Sequence, residues 1–243
     1  AWYFPASSST WVIQVHGRGA TRAECLRAVP VLSAAGLPNL VVSYRNDGEA
    51  PRTRAGAYAL GASEWRDVDA AIAYALRHGA EQVILMGWSM GGAVSLQAAV
   101  TSEHRDRIAG IILESPVVDW RTVLRFQAKM AGVRAPLPEL AMGALQMPLT
   151  ARLSGADEPI AFDCLDMVAR ADELTAPILI LPSDDDGFVP ADSSHALQEA
   201  RPDLVTMPRF TVARHTKLWN YDQTGWTTAI TDWLDAQGFS ASA

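Results

Sequence analysis

The stretch Gln82-Val83-Ile84-Leu85-Met86-Gly87-Trp88-Ser89-Met90-Gly91-Gly92 decides how this chain is read. After Gln82 its first half is apolar with no polar alternation, as expected of a strand covered on both faces. Its second half matches G-x-S-x-G and leads into a helical pattern from about Met90 to Thr101. A serine at such a strand-to-helix turn sits on strained backbone, so its neighbours two positions away must lack side chains. Gly87 and Gly91 meet that requirement, and Gly92 lets the helix approach the sheet closely. The turn lifts the Ser89 hydroxyl above the strand ends. It also sets the Met90 N–H at a helix N-terminus, aimed at a developing oxyanion. The plainer alternative is a glycine-rich turn with an incidental serine, and the flanking strand and helix argue against it.

Working outward, apolar runs of strand length alternate with helical patterns, the mark of a largely parallel sheet with crossover helices. Strands are predicted at 11–15, 40–42, 82–86, 108–113, 178–181 and 205–210. Helices are predicted at 21–35, with Pro30 as a kink, at 63–78, with Ser63 as N-cap, and at 90–101, 193–201 and 224–236. Residues 45–62 read as a polar, Gly-rich connection. Residues 119–172 hold no convincing strand but do hold Pro136, Pro138, Pro148 and Pro159. The expected architecture is therefore α/β: a mostly parallel sheet with helices on both faces, with 1–118 and 173–243 as the core and 119–172 as a helical cap insertion. Trp120, Phe126, Met130, Leu137, Leu140, Met142, Leu145 and Met147 form an apolar set in that insertion. Most of it is expected to make the insertion's own small core, and part the wall of an apolar ligand pocket.

Composition narrows the classes of function. The chain has 243 residues, with 20 Lys and Arg against 27 Asp and Glu, a net charge of −7 that disfavours a nucleic-acid partner. Hydrophobic residues make up 49% and charged residues 19%, a globular balance rather than a disordered one. Cys25 and Cys164 stand far apart with no Cys-x-x-Cys pair, so neither a zinc nor a redox motif is visible. Their small number fits a reducing compartment, and a cytoplasmic location is the expectation. No apolar run reaches membrane-spanning length. The opening Ala1-Trp2-Tyr3-Phe4-Pro5, with neither Met nor a charged leader, is expected of a trimmed or processed form.

The chain resembles the α/β-hydrolase superfamily of serine hydrolases over nearly its whole length. The resemblance is carried by Val15-His16-Gly17-Arg18-Gly19, the turn at 87–92, Asp186-Gly187-Phe188-Val189-Pro190 and His215, in the order that superfamily uses. It is closest to the esterase, lysophospholipase and serine-peptidase-like branch with a helical lid. Two departures stand out. Pro182-Ser183 ends the strand before the acid where His-Gly is usual, and the first strand or two of the sheet are expected to be missing before Trp2.

The resemblance implies roles. A serine hydroxyl needs a base, and of His16, His78, His104, His195 and His215 the superfamily order selects His215. The acid that orients it is Asp186, by the Asp-x-x-Val-Pro spacing within Asp184-Asp185-Asp186. Asp119 is the rival acid, and a solvated or cation-binding acidic turn is the plainer alternative. The backbone N–H groups of Met90 and Arg18 are the expected oxyanion donors. The Arg18 side chain is expected to pair with an acidic neighbour rather than with substrate. His16, Gly17, Trp88 and Trp219 are candidate pocket residues, with packing of the last helix as the equal alternative for Trp219. The implied reaction is hydrolysis of a small carboxylic ester with an apolar acyl group, through an acyl-enzyme, with no metal and no organic cofactor. Peptide hydrolysis, a non-catalytic binding protein, and haloperoxidase or transferase chemistry stay open as alternatives.

Overall fold

The computed structural model describes residues 1–54, 56–153 and 157–240. Its strands are β1 (Trp2–Phe4), β2 (Thr10–Val15), β3 (Asn39–Val42), β4 (Gln82–Trp88), β5 (Ile108–Glu114), β6 (Ile178–Leu181) and β7 (Val205–Thr206). They form one seven-stranded sheet in the order β1-β3-β2-β4-β5-β6-β7. Only the edge strand β1 runs antiparallel, against β3. This strand was not predicted, because three half-exposed residues carry no readable alternation. At the other edge, β7 stops after two residues rather than reaching Phe210, and only an isolated Ser183–Phe210 bridge continues the pairing. Pro208 lacks the N–H that a longer ladder would require.

The helices of the core are α1 (Val29–Ala34), α2 (Trp65–Arg77), α3 (Met90–Thr101), α7 (Asp192–Ala200), the short α8 (Leu218–Tyr221) and α9 (Gln223–Ala236). Along β4, Val83 and Leu85 face α2, α3 and α7, while Ile84 and Met86 face α1 and α9. Both faces of the strand are therefore apolar, which explains its unbroken run. The stretch at 21–35 is not one helix. It is a 3₁₀ segment, Arg22–Arg27, followed by α1 with Pro30 in its first turn, where a missing N–H costs nothing. Ser63 does not cap α2. Glu64 holds the N-cap position, and its carboxylate accepts the N–H groups of Ala59, Gly61 and Ser63 from the preceding loop.

Between β5 and β6 the chain forms α4 (Trp120–Met130), α5 (Leu137–Gln146) and α6 (Pro148–Leu153), then two 3₁₀ turns. The expected private core of this segment is not what forms. Trp120, Val123, Met142 and Phe162 are buried in continuity with the α2 and α3 side of the main core. Met130, Leu137, Leu140 and Met147 are exposed by 58–68%. Helical periodicity marks a stripe but does not say what covers it.

The register brings the carboxyl ends of the central strands level. Val15 pairs with Gly87, Trp88 with Glu114, and Glu114 with Leu181. The loops that follow β2, β4, β5 and β6 therefore open on one edge, where open α/β sheets place their ligands. Among the described residues no helix is long and apolar enough to cross a membrane.

Candidate active site

Ser89 opens α3 with φ at +52° and ψ at −118°. Such a non-glycine backbone persists only when its surroundings over-determine it. Here its N–H donates to the Glu114 carbonyl at 3.0 Å, and its own carbonyl accepts from Gly92 at 2.9 Å and Val117 at 3.1 Å. The glycines are required sterically. A Cβ on Gly87 would lie 2.5 Å from the Gly91 carbonyl oxygen, and one on Gly91 would collide with the Val15 carbonyl oxygen.

The hydroxyl so presented meets His215. Ser89 Oγ lies 2.8 Å from His215 Nε2, and His215 Nδ1 lies 2.8 Å from Asp186 Oδ2. Asp186 is buried, and its second oxygen, Oδ1, accepts the N–H groups of Phe188 and Val189, each at 2.9 Å. This explains the spacing. An aspartate that bonds the amides two and three residues on is fixed in orientation, with one oxygen left for the imidazole. Asp184 instead pairs with Arg209 at 3.2 Å. The rival Asp119 caps α4 by accepting the N–H groups of Arg121 and Thr122. The unusual Pro182-Ser183 ending has a local use: the Ser183 hydroxyl accepts the Ala213 N–H at 3.0 Å, two residues before the imidazole.

Ser89 and His215 open into a cavity of about 650 Å³, within the range of small-molecule sites. Val117, Trp120, Val123, Leu124 and Phe188 supply its apolar wall, and Gly17, Arg18, Glu24 and Gln127 its polar one. The Met90 amide stands at the start of α3 and Arg18 lines the cavity. The Arg18 side chain is exposed and, among the described residues, makes no ion pair, contrary to the expected acidic partner.

Of the four expected pocket residues, only Gly17 lines this cavity. His16 is fully buried, with Nδ1 2.9 Å from the Gly17 carbonyl and its ring stacked on Tyr44 at 4.5 Å. Burial lowers its pKa, against the opposing effect of the Gly17 carbonyl and of Asp47, whose Oδ2 lies 3.3 Å from Nδ1. Trp88 is also fully buried, its indole N–H donating to Glu114 Oε2 at 2.8 Å. Trp219 lies on α8 and faces a different groove, with Pro30, Val31 and Gln223. Gln127, Phe188 and Glu24 were missed as lining residues. Phe188 sits inside the quoted 186–190 motif and could have been read from it, whereas Gln127 and Glu24 reach the cavity only through the fold.

A doubly covered parallel sheet with a serine elbow at its carboxyl edge defines the class: an α/β-hydrolase fold of the serine-hydrolase type. The serine aminopeptidase S33 family matches residues 6–156, more than half of the chain, and the chain belongs to that family. Solved structures of similar fold include an esterase of Pyrococcus furiosus, at 17% identity and a TM-score of 0.73 over 97% of this chain and 84% of that one. A monoacylglycerol lipase of Paleococcus ferrophilus is similar at 21% identity and a TM-score of 0.68, over 97% and 98% of the two chains. Est1E of Butyrivibrio proteoclasticus, with ferulic acid bound, is similar at 16% identity and 0.72, over 97% and 94%. No curated protein matches the chain in sequence.

Proposed function

We propose that the protein hydrolyses small carboxylic esters through an acyl-enzyme formed on Ser89. The observation that carries this is the relay Ser89–His215–Asp186, with both links at 2.8 Å, opening on a cavity with an apolar wall. His215 takes the hydroxyl proton as Ser89 attacks the ester carbonyl, then returns it to the leaving alcohol. Asp186 keeps Nδ1 protonated and steadies the imidazolium. The Met90 and Arg18 amides receive the oxyanion, and water then repeats the sequence on the acyl-enzyme. Val117, Trp120, Val123, Leu124 and Phe188 form the acyl wall, and the segment 119–172 acts as the cap that supplies part of it. The names of the esterase and the lipase of similar fold are consistent with this reading.

The family description raises a second reading, aminopeptidase action. A free α-ammonium needs an unpaired carboxylate to receive it. Among the described residues Glu24 is the one carboxylate on the cavity wall, and its oxygens are held by the Gly17 N–H and by Arg27. Arg18, also on the cavity wall, adds positive charge there. This arrangement favours a neutral ester over an N-terminal amine. The test compares p-nitrophenyl butyrate with aminoacyl p-nitroanilides, alongside labelling by a fluorophosphonate probe. Ester turnover with labelling at Ser89 is expected. Anilide turnover that exceeds ester turnover overturns the ester assignment, and a folded protein that does not label overturns catalysis by Ser89.

A further inference from the structure

We infer that Arg27 is a positioning residue for His215, holding the strained peptide that follows the base and coupling it to the oxyanion loop. The inference rests on the ester-hydrolase reading above; Arg27 does not itself line the Ser89 cavity but bonds Thr216 and Glu24, which do.

The argument begins at Thr216. It directly follows His215 and has φ at +51°. A β-branched side chain in the left-handed region is a true outlier, tolerated only where neighbours impose it. The neighbours that do so are identifiable. The Thr216 carbonyl accepts from Arg27 Nη1 at 2.7 Å, and its N–H donates to Ser115 Oγ at 3.3 Å. Two residues on, the Leu218 N–H donates to Glu114 Oε1 at 3.2 Å. Glu114 also takes the indole N–H groups of Trp88, beside the nucleophile, and of Trp226 on α9.

Arg27 stands between two carboxylates that hold different loops. Its Nη1 lies 3.9 Å from Glu114 Oε1, and its Nη2 lies 3.4 Å from Glu24 Oε1. The other oxygen of Glu24 accepts the Gly17 N–H at 2.8 Å, one residue before the proposed oxyanion donor at Arg18. The Glu114 side chain is wholly buried, and those of Arg27 and Glu24 are 14% and 13% exposed, so water screens this chain of contacts little. A planar guanidinium can address the Thr216 carbonyl and both carboxylates at once, whereas a lysine ammonium is a single point charge. The elements that carry Ser89, His215 and the oxyanion loop thus share one half-buried cation, reached from the Ser89 side through Glu114 and Trp88.

Removing that cation frees the Thr216 peptide to relax, which turns the imidazole away from Ser89 while leaving the apolar wall intact. Misplacement of this kind costs turnover rather than binding. For Arg27→Ala we expect kcat on p-nitrophenyl butyrate to fall about 10- to 100-fold. KM should stay within about threefold, because ground-state binding is not touched. Added guanidinium ion, at concentrations far below those that unfold proteins, should restore part of kcat, and ammonium should not. Arg27→Lys should remain impaired. Folding is checked by far-UV circular dichroism, and if Arg27→Ala does not fold, Arg27→Lys decides. A folded Arg27→Ala, or failing that Arg27→Lys, with wild-type kcat overturns the inference and leaves the ester reading standing. A loss confined to KM, or a loss that guanidinium does not repair at all, also overturns it. A wild-type protein that neither labels with fluorophosphonate nor turns over ester removes the underlying reading, and the inference with it.

Discussion

The elbow side of the molecule and the α4–α6 side are built on opposite principles. Around Ser89, strained backbone is held by hydrogen bonds from β5, α3 and the loop after β5, and Gly87 and Gly91 have no room for one extra carbon. On the α4–α6 side, Leu149 and Leu153 are among the most exposed apolar side chains of the chain, and α5 buries little beyond Met142. The contrast teaches that the serine turn is specified by sterics, while the α4–α6 surface is specified only where it turns inward at Trp120 and Val123.

Substitutions sharpen or break this contrast. Ser89→Ala should lower kcat by about 10⁴- to 10⁶-fold with unchanged thermal stability, and wild-type kinetics in the folded variant would end the mechanism. Asp186→Asn should cost about 10³- to 10⁴-fold, because the imidazole loses the partner that fixes its tautomer. A loss no larger than that of Asp184→Asn, measured side by side, would move the acid elsewhere. In the core, Leu113→Ala should destabilise by about 2–5 kcal/mol in urea unfolding. Leu149→Ser should change stability by less than about 0.5 kcal/mol, since a solvated side chain has little to lose. If Leu149→Ser costs as much as Leu113→Ala, the two regions are not different in kind.

An effect of intermediate size concerns acid. Burial lowers the His16 pKa below its ordinary 6.5, so the folded chain resists a proton that the unfolded chain accepts. This contribution is intact above the ordinary value and is lost progressively as pH falls below it, by at most about 1.4 kcal/mol per pH unit. His16→Asn should flatten the decline below about pH 6.5 in chemical unfolding, and an identical slope in both proteins would reject the assignment.

What the sequence made legible follows from range. The elbow is a local steric rule, so Gly87, Ser89 and Gly91 can be read without knowing any neighbour. Asp186 was readable because its side chain bonds the next residues of its own loop. Arg27 and Glu114 were not. A glutamate at the end of an apolar strand looks like a surface residue until Trp88, Trp226 and Leu218 are seen around it. Trp219 misled for the same reason. Its place shortly after His215 suggests the pocket, but on α8 it lines a different groove, with Pro30 and Val31. The apolar stripe of 119–172 was visible as periodicity, yet its direction depends on which face the main core reaches.

One hydrogen bond between the two regions bears on Asp186. The Gln127 side-chain N–H on α4 donates to the Phe188 carbonyl, whose own N–H fixes Asp186. Helix α4 and the Asp186 turn are therefore fastened to one another by this amide. Transplanting this segment from a relative would disturb more than specificity: unless the donor scaffold carries a matching amide at that point, the graft would loosen the carboxylate from below.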